Sequence, residues 1–203
     1  MKKQEKSKLT KEFKILKNSS RIPSTTRDLK KAAQILMRGG VVIFPTDTVY
    51  GIGARFDMVH AVARIKNIKK SYQDFPILIS NMNQAHHLAM FDSQAQHLAN
   101  LYWPGALTII LPSKTKHERI ALRIPDSDLV REIINQIGIP IIGTSANFHG
   151  QKSPVSFKDL DPNFVKLADY TIKGDCKLKV ESTVVDAATV PFKIIRHGAV
   201  KVR

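Results

Sequence analysis

Short hydroxyl- and amide-bearing side chains gather at the ends of apolar runs in this chain, and arginines punctuate two others. Thr46, Asp47, Thr48 and Tyr50 follow the run 41–44 (VVIF), Ser145 and Asn147 follow 139–142 (IPII), and Ser182 opens 182–185 (STVV). Arg123 lies inside 120–124 (IALRI) and Arg196 follows 192–195 (FKII). Open α/β sheets bind ligands at strand ends, where backbone amides and short side chains converge without filling the site. A guanidinium on a strand that faces a cleft clamps a carboxylate or phosphate through two parallel hydrogen bonds. The set therefore suits a small polar or anionic ligand. Thr46, Thr48 and Tyr50 offer hydroxyls, Ser145 and Asn147 partners for phosphate or ribose, and Arg123, Arg196 and Lys69 positive charge. Each feature also has a plainer reading. Thr and Asp favour turns whatever their function, Ser145 and Asn147 can cap a turn, Lys69 fits a solvated helix face, and a strand arginine on an exposed face is edge decoration.

Familiar catalytic templates are missing. The chain has no G-x-x-x-x-G-K-[ST] loop, no G-x-G-x-x-G turn and no H-E-x-x-H, and Ser145 lacks a G-x-S-x-G setting. His86 and His87 are adjacent on an expected helix and point apart, so no metal site is predicted there. The single Cys176 excludes an internal disulfide framework and a cysteine-based zinc site.

The elements that would hold these loops follow from periodicity. Leu29, Ala32, Ala33, Ile35 and Leu36 have helical spacing, with Ser24, Thr25 or Thr26 to cap the start and Gly39-Gly40 to end it. A strand at 41–44 leads into 46–53, read as a loop; Asp57 caps a helix burying Val59, Val62, Ala63, Ile65 and Ile68. Strands are expected at 75–79, 106–111, 120–124, 139–142, 182–185 and 192–195, and helices near 83–90, 93–102 and from an Asp126 cap to Ile137. Strands and helices alternate irregularly, which predicts an α/β or α+β domain built on a mixed, twisted sheet with flanking helices. Residues 25–203 form that domain, after a basic arm at 1–24.

Charge is the outlier of the composition. Lys and Arg number 32 against 17 Asp and Glu, a net +15, and residues 1–27 alone hold nine basic and two acidic residues. Such a balance favours polyanionic partners, although solubility alone can select a basic surface. No apolar run reaches the ~18 residues of a membrane span. The N-terminus lacks the apolar stretch of a secretory leader. The expected compartment is the cytoplasm, with no membrane partner.

Seven segments, in order and at matching intervals, resemble one family, the YrdC/Sua5 L-threonylcarbamoyladenylate synthases. They are FPTDTVYGIG (44–53), IKKSYQDFPI (68–77), WPGALTIIL (103–111), ALRIPDSDLV (121–130), PIIGTSANFHG (140–150), ESTVVD (181–186) and IIRHGAV (194–200). The resemblance implies a YrdC-like twisted sheet with an open cleft. It also implies a reaction in which L-threonine, bicarbonate and ATP, with Mg²⁺, give threonylcarbamoyl-AMP and pyrophosphate. That adenylate would pass to a downstream threonylcarbamoyl transferase acting on adenosine 37 of tRNAs that read ANN codons. By the same resemblance Lys69 approaches the nucleotide phosphates, Ser145 and Asn147 form the S-x-N motif at the nucleotide, and Arg196 lies near it. Arg123 and Ser182 face the threonine carboxylate, Thr46 and Tyr50 flank the amino-acid pocket, and Lys69 and Arg123 carry the catalytic roles.

The chain departs from the family's K-x-R-P-x-x-K-P-L pattern: Ser71 stands at the arginine and Phe75 at the second lysine, and Ser80 stands where many relatives have histidine. Lys66, Lys70 or a lysine of the arm is the expected replacement charge. A C-terminal domain found in longer relatives is expected to be missing, with the arm folding over the cleft or contacting tRNA or double-stranded RNA in its place. A non-catalytic basic RNA-binding protein of the same fold is the alternative. A hydrogenase-maturation carbamoyl-transfer module fits less well, because it carries acylphosphatase and Cys-rich segments.

Overall fold

The computed structural model describes residues 26–115 and 118–202; the basic arm at 1–24 lies outside the described residues. Helix α1 (Thr26–Met37) turns Ala32, Ala33 and Leu36 inward. It ends where Gly39 takes φ +79° and the Gly40 N–H reaches the Ile35 carbonyl at 2.9 Å, a left-handed stop that glycine adopts without strain. There follow β1 (Val42–Phe44), β2 (Gly51–Arg55), α2 (Val59–Lys69), β3 (Ile77–Leu78), α3 (Met82–Leu88), α4 (Ser93–Tyr102), β4 (Leu107–Pro112), β5 (Arg119–Arg123), α5 (Asp128–Ile137) and β6 (Ile141–Ser145). The remainder comprises a 3₁₀ turn (Phe157–Asp159), α6 (Pro162–Val165), β7 (Tyr170–Thr171), β8 (Thr183–Asp186) and β9 (Lys193–Arg196).

Among the described residues the strands form one nine-stranded sheet in the order β7-β1-β2-β6-β3-β5-β4-β8-β9. Pairs β1–β7, β3–β5 and β4–β8 are parallel and the others antiparallel, the mixed sheet with flanking helices that the sequence predicts. Its two halves are covered differently. Around β1, β2 and β6, helices α1 and α5 pack over Val42, Phe44 and Ile141, while α2 and α6 pack over Ile43, Ile52 and Ile142. On β4, Leu107, Ile109 and Leu111 join Ala85, Leu98 and Ala99 of α3 and α4 in a third core. Strand residues alternate between faces, so Thr108 points the other way, where it meets the Ser182 hydroxyl at 2.9 Å. That second face of the β5-β4-β8 half lines the cleft.

Several local expectations change. The stretch read as loop 46–53 ends in strand β2: Gly51 and Gly53 oppose Phe44 and Val42 in an antiparallel pair. Glycine is depleted in strands, yet at Gly53 only glycine fits. A methyl group on Gly53 would lie 2.5 Å from the Ile142 carbonyl oxygen and 2.9 Å from the Phe44 ring. We expect Gly53→Ala to cost about 1–3 kcal/mol, the range for overpacking a filled core, read as a lower urea midpoint in equilibrium unfolding.

Asp57 does not cap α2. Met58 holds the N-cap position without a side-chain bond, and the Asp57 carboxylate is drawn to Arg55 at 2.8 Å. Ser127, not Asp126, caps α5 by accepting from the Val130 N–H. The strand expected at 75–79 keeps only Ile77 and Leu78 in the ladder, since Pro76 has no N–H and gives its carbonyl to Gly143 instead, at 2.9 Å.

Candidate active site

Strand and helix ends converge on a cavity of about 120 Å³ lined by Phe44, Leu78, Thr108, Arg123, Ser145, Glu181, Ser182 and Arg196, with the 46–51 loop at its wall. An engineered apolar cavity of ~150 Å³ holds benzene. The volume here is in the range of a small organic solute.

Lys69, the last residue of α2, is 7% exposed, and its ammonium is caged by the S-x-N segment. The Nζ donates to the Asn147 carbonyl at 2.6 Å, the Asn147 Oδ1 at 2.7 Å and the Ser145 carbonyl at 2.9 Å, with the Ser145 Oγ at 3.4 Å. Burial pulls its pKa down to about 8, partly opposed by the negative charge of Glu181. The structure thus joins three residues that the sequence places 76 and 78 positions apart.

Arg123 closes β5 and is anchored on three sides. Its Nη2 donates to Asp47 Oδ1 at 2.6 Å, its Nη1 to Thr48 Oγ1 at 3.0 Å and its Nε to the Gly105 carbonyl at 2.9 Å. Both partners of the ion pair are buried, with side chains 7% and 1% exposed. Burial pulls the guanidinium's pKa downward and Asp47 opposes the shift. Three of five N–H donors are engaged, which leaves two for a ligand.

Arg196 closes β9. Its Nε and Nη2 donate to the Ser182 carbonyl at 3.2 and 2.9 Å, and Nη2 also meets the Ser182 Oγ at 3.2 Å. Its Nη1 pairs with Glu181 at 2.6 Å. Arg196 is near enough to Arg123 to disfavour that residue's charge, and each of the two guanidiniums is paired with a carboxylate, Asp47 and Glu181.

Thr46 and Tyr50 belong to the frame more than to the ligand. The Thr46 hydroxyl donates to the Val49 carbonyl at 2.7 Å and accepts from the Thr48 N–H at 3.0 Å, a hydroxyl turn. The Tyr50 hydroxyl donates to the Gly174 carbonyl at 2.7 Å, and burial pushes its pKa well above the usual phenol range. Both residues line the cavity as expected, yet both hydroxyl protons are committed elsewhere. The turn places Thr48 to brace Arg123.

Neither departure from the family pattern brings charge to the cavity. Ser71 closes α2, its N–H on the Lys66 carbonyl at 3.0 Å, beside Lys70 at φ +48°. Phe75 packs with the α2 core instead. Lys66, one expected replacement, is held by Asp74 at 2.6 Å.

Sequence reasoning passed over Asp47, Glu181 and Thr108. Asp47 looked like turn chemistry, and Glu181 sat unassigned inside ESTVVD. The available signal was an acidic residue beside two of the hydroxyl positions, Asp47 between Thr46 and Thr48 and Glu181 before Ser182; Thr108 carried none.

A family model for Sua5/YciO/YrdC proteins, described as telomere recombination, matches residues 34–198. The chain belongs to this family. Among its relatives, threonylcarbamoyl-AMP synthase of Bacillus subtilis is 34% identical over 188 residues, covering 85% of this chain and 54% of that protein. A putative threonylcarbamoyl-AMP synthase of Methanocaldococcus jannaschii is 32% identical over 83% of this chain and 84% of its own length. The crystal structure of Pyrococcus abyssi Sua5 complexed with L-threonine is similar with a TM-score of 0.78 at 32% identity, covering 84% of this chain and 54% of that one. The chain spans about half the length of the Bacillus and Pyrococcus members of the family. No described helix is long and apolar enough to cross a membrane.

Proposed function

We propose that this chain is an L-threonylcarbamoyladenylate synthase of the cytoplasm, converting L-threonine, bicarbonate and ATP to threonylcarbamoyl-AMP and pyrophosphate. The observation that carries the reading is a small cavity with a buried, braced Arg123 inside and Lys69 caged by Ser145 and Asn147. Arg123 and Ser182 would take the threonine carboxylate. Lys69 and Arg196 would offset charge on the α-phosphate and on the departing pyrophosphate, with Ser145 and Asn147 beside the nucleotide. Mg²⁺ enters as part of the ATP substrate, held largely by phosphate oxygens and water.

The chemistry asks for holding and charge compensation rather than a covalent nucleophile. A carbamate formed on the threonine nitrogen attacks the α-phosphorus and pyrophosphate leaves. Orienting the two substrates and meeting the phosphate charge with fixed donors supplies the rate. The product is a mixed anhydride open to hydrolysis, so a transferase acting on tRNA adenosine 37 is the expected consumer.

Pyrophosphate release should depend on all three substrates, stopping when threonine or bicarbonate is withheld. No turnover together with salt-sensitive binding of tRNA or double-stranded RNA would replace this reading with a basic RNA-binding one.

A further inference from the structure

Glu181 is out of place in an anion site. It lines the same cavity as Arg123 and Arg196, and its negative charge reaches Lys69. A carboxylate there repels a phosphate or a carboxylate ligand. It is also held in position: Oε1 accepts from the Ser153 hydroxyl at 2.5 Å and Oε2 from Arg196 at 2.6 Å. Each carboxylate oxygen can accept a second hydrogen bond, and the side chain is 37% exposed, so a ligand and solvent can both reach it. The cavity therefore presents a guanidinium and a carboxylate together, the complement of a zwitterion.

We propose that Glu181 binds the amino group of the substrate and takes the proton which that nitrogen releases on carboxylation. This rests on the synthase reading and assigns within it a residue for the first chemical step. The ammonium gives one proton to bicarbonate, which leaves neutral amine, CO₂ and water. The amine lone pair then forms the N–C bond to CO₂ while a C=O π pair moves onto oxygen. The nitrogen in that adduct is acidic, and its proton passes to the Glu181 carboxylate, leaving the carbamate anion. Glu181 returns the proton to solvent through its exposed edge. Arg196 and Ser153 keep the carboxylate aimed while this happens.

The test uses the full chain and the variants Glu181→Gln and Glu181→Asp. Binding by calorimetry compares L-threonine with 2,3-dihydroxybutanoate of matching stereochemistry, in which a hydroxyl replaces the amine. The wild type should prefer the amino acid by at least about tenfold, and Glu181→Gln should lose that preference. Pyrophosphate release by Glu181→Gln should fall by about 10²-fold, the lower range for a positioned general base. Its KM for ATP should stay within threefold, and Glu181→Asp should recover part of the rate. Unchanged discrimination in Glu181→Gln would overturn the proposal. So would a variant whose KM values for ATP and threonine rise together at constant kcat, since that marks a strap that only holds Arg196. A wild type that discriminates the two ligands but releases no pyrophosphate would sink the synthase reading and leave the ammonium site standing.

Discussion

Lys69→Met is expected to lower threonine-dependent pyrophosphate release by about 10²–10³-fold, the range for removing one preorganised electrostatic group from a developing charge, since the ammonium, its protons held by Ser145 and Asn147, would act there as a fixed positive charge. Methionine keeps most of the length and apolar stem of lysine and removes the ammonium. It also leaves the Asn147 carbonyl and side-chain oxygen without the donor that holds them at 2.6 and 2.7 Å. Lys69→Arg separates charge from shape: it keeps the positive charge, but a planar fork does not fit a cage built around a compact ammonium.

The same residue sets an expected pH dependence. The ammonium of the ligand-free protein titrates at about 8 because burial disfavours it. Below that pH it is charged and, on the proposed reading, would attract the phosphates of ATP. Above it, kcat/KM for ATP should fall about tenfold per pH unit, since that ratio reports the free enzyme. Lys69→Arg should show no such limb up to pH 10. Stability moves the opposite way. The folded pKa lies below the unfolded one, so between about pH 8 and the ordinary lysine range the unfolded chain binds more protons and folding gains with rising pH. A flat kcat/KM profile from pH 7 to 9.5 in the wild type would remove Lys69 from the phosphate site.

Arg123→Met should be the most destabilising substitution in the cleft, by about 3–5 kcal/mol, because it strands the buried Asp47 charge. Asp47 already has one buried oxygen, Oδ2, without a hydrogen-bond partner among the described residues, so nothing else is in place to take the load. The double variant Asp47→Asn/Arg123→Met removes both charges and should recover at least half of that loss in urea unfolding. Recovery of stability without recovery of turnover would separate the two roles of Arg123, since a neutral pair can fill the space but cannot clamp a carboxylate. Additive effects in the double-mutant cycle would show that the pair is not coupled.

Part of this site is legible in the amino-acid order, and the reason is local. Loops after strands carry their chemistry in a few adjacent residues, so 46–51 and 145–147 stand out as small polar segments in the amino-acid order, whereas Glu181 does not. The helix end at Gly39 is legible for the same reason, as it follows from neighbours within one turn, whereas the strand expected at 139–142 is displaced to Ile141–Ser145 because 143–145, read as loop, pair with β2. Errors came where a neighbour distant in sequence decided the outcome. Gly51 and Gly53 spoke for a loop until Phe44 and Ile142 closed around them. Asp57 is the local exception, its carboxylate held by Arg55 only two residues before it, while the Tyr50 hydroxyl lines the cavity and gives its proton to the Gly174 carbonyl 124 residues away.

By itself the amino-acid order determined that Arg123 lies inside an apolar run, that Arg196 follows one, that Lys69 sits on a helix, and that small polar segments follow the buried strands. Periodicity and strand-end chemistry act within a dozen residues and need no partner to be read. Tertiary structure alone decided which charges remain for a ligand. Asp47 anchors Arg123, Ser145 and Asn147 cage Lys69, and Asp74 removes Lys66. Glu181 enters a cavity of cations. For Arg123 and Lys69 the partners lie more than seventy residues away in sequence and burial in the cleft settles the contest with water, whereas Lys66 is taken by a nearby, exposed carboxylate.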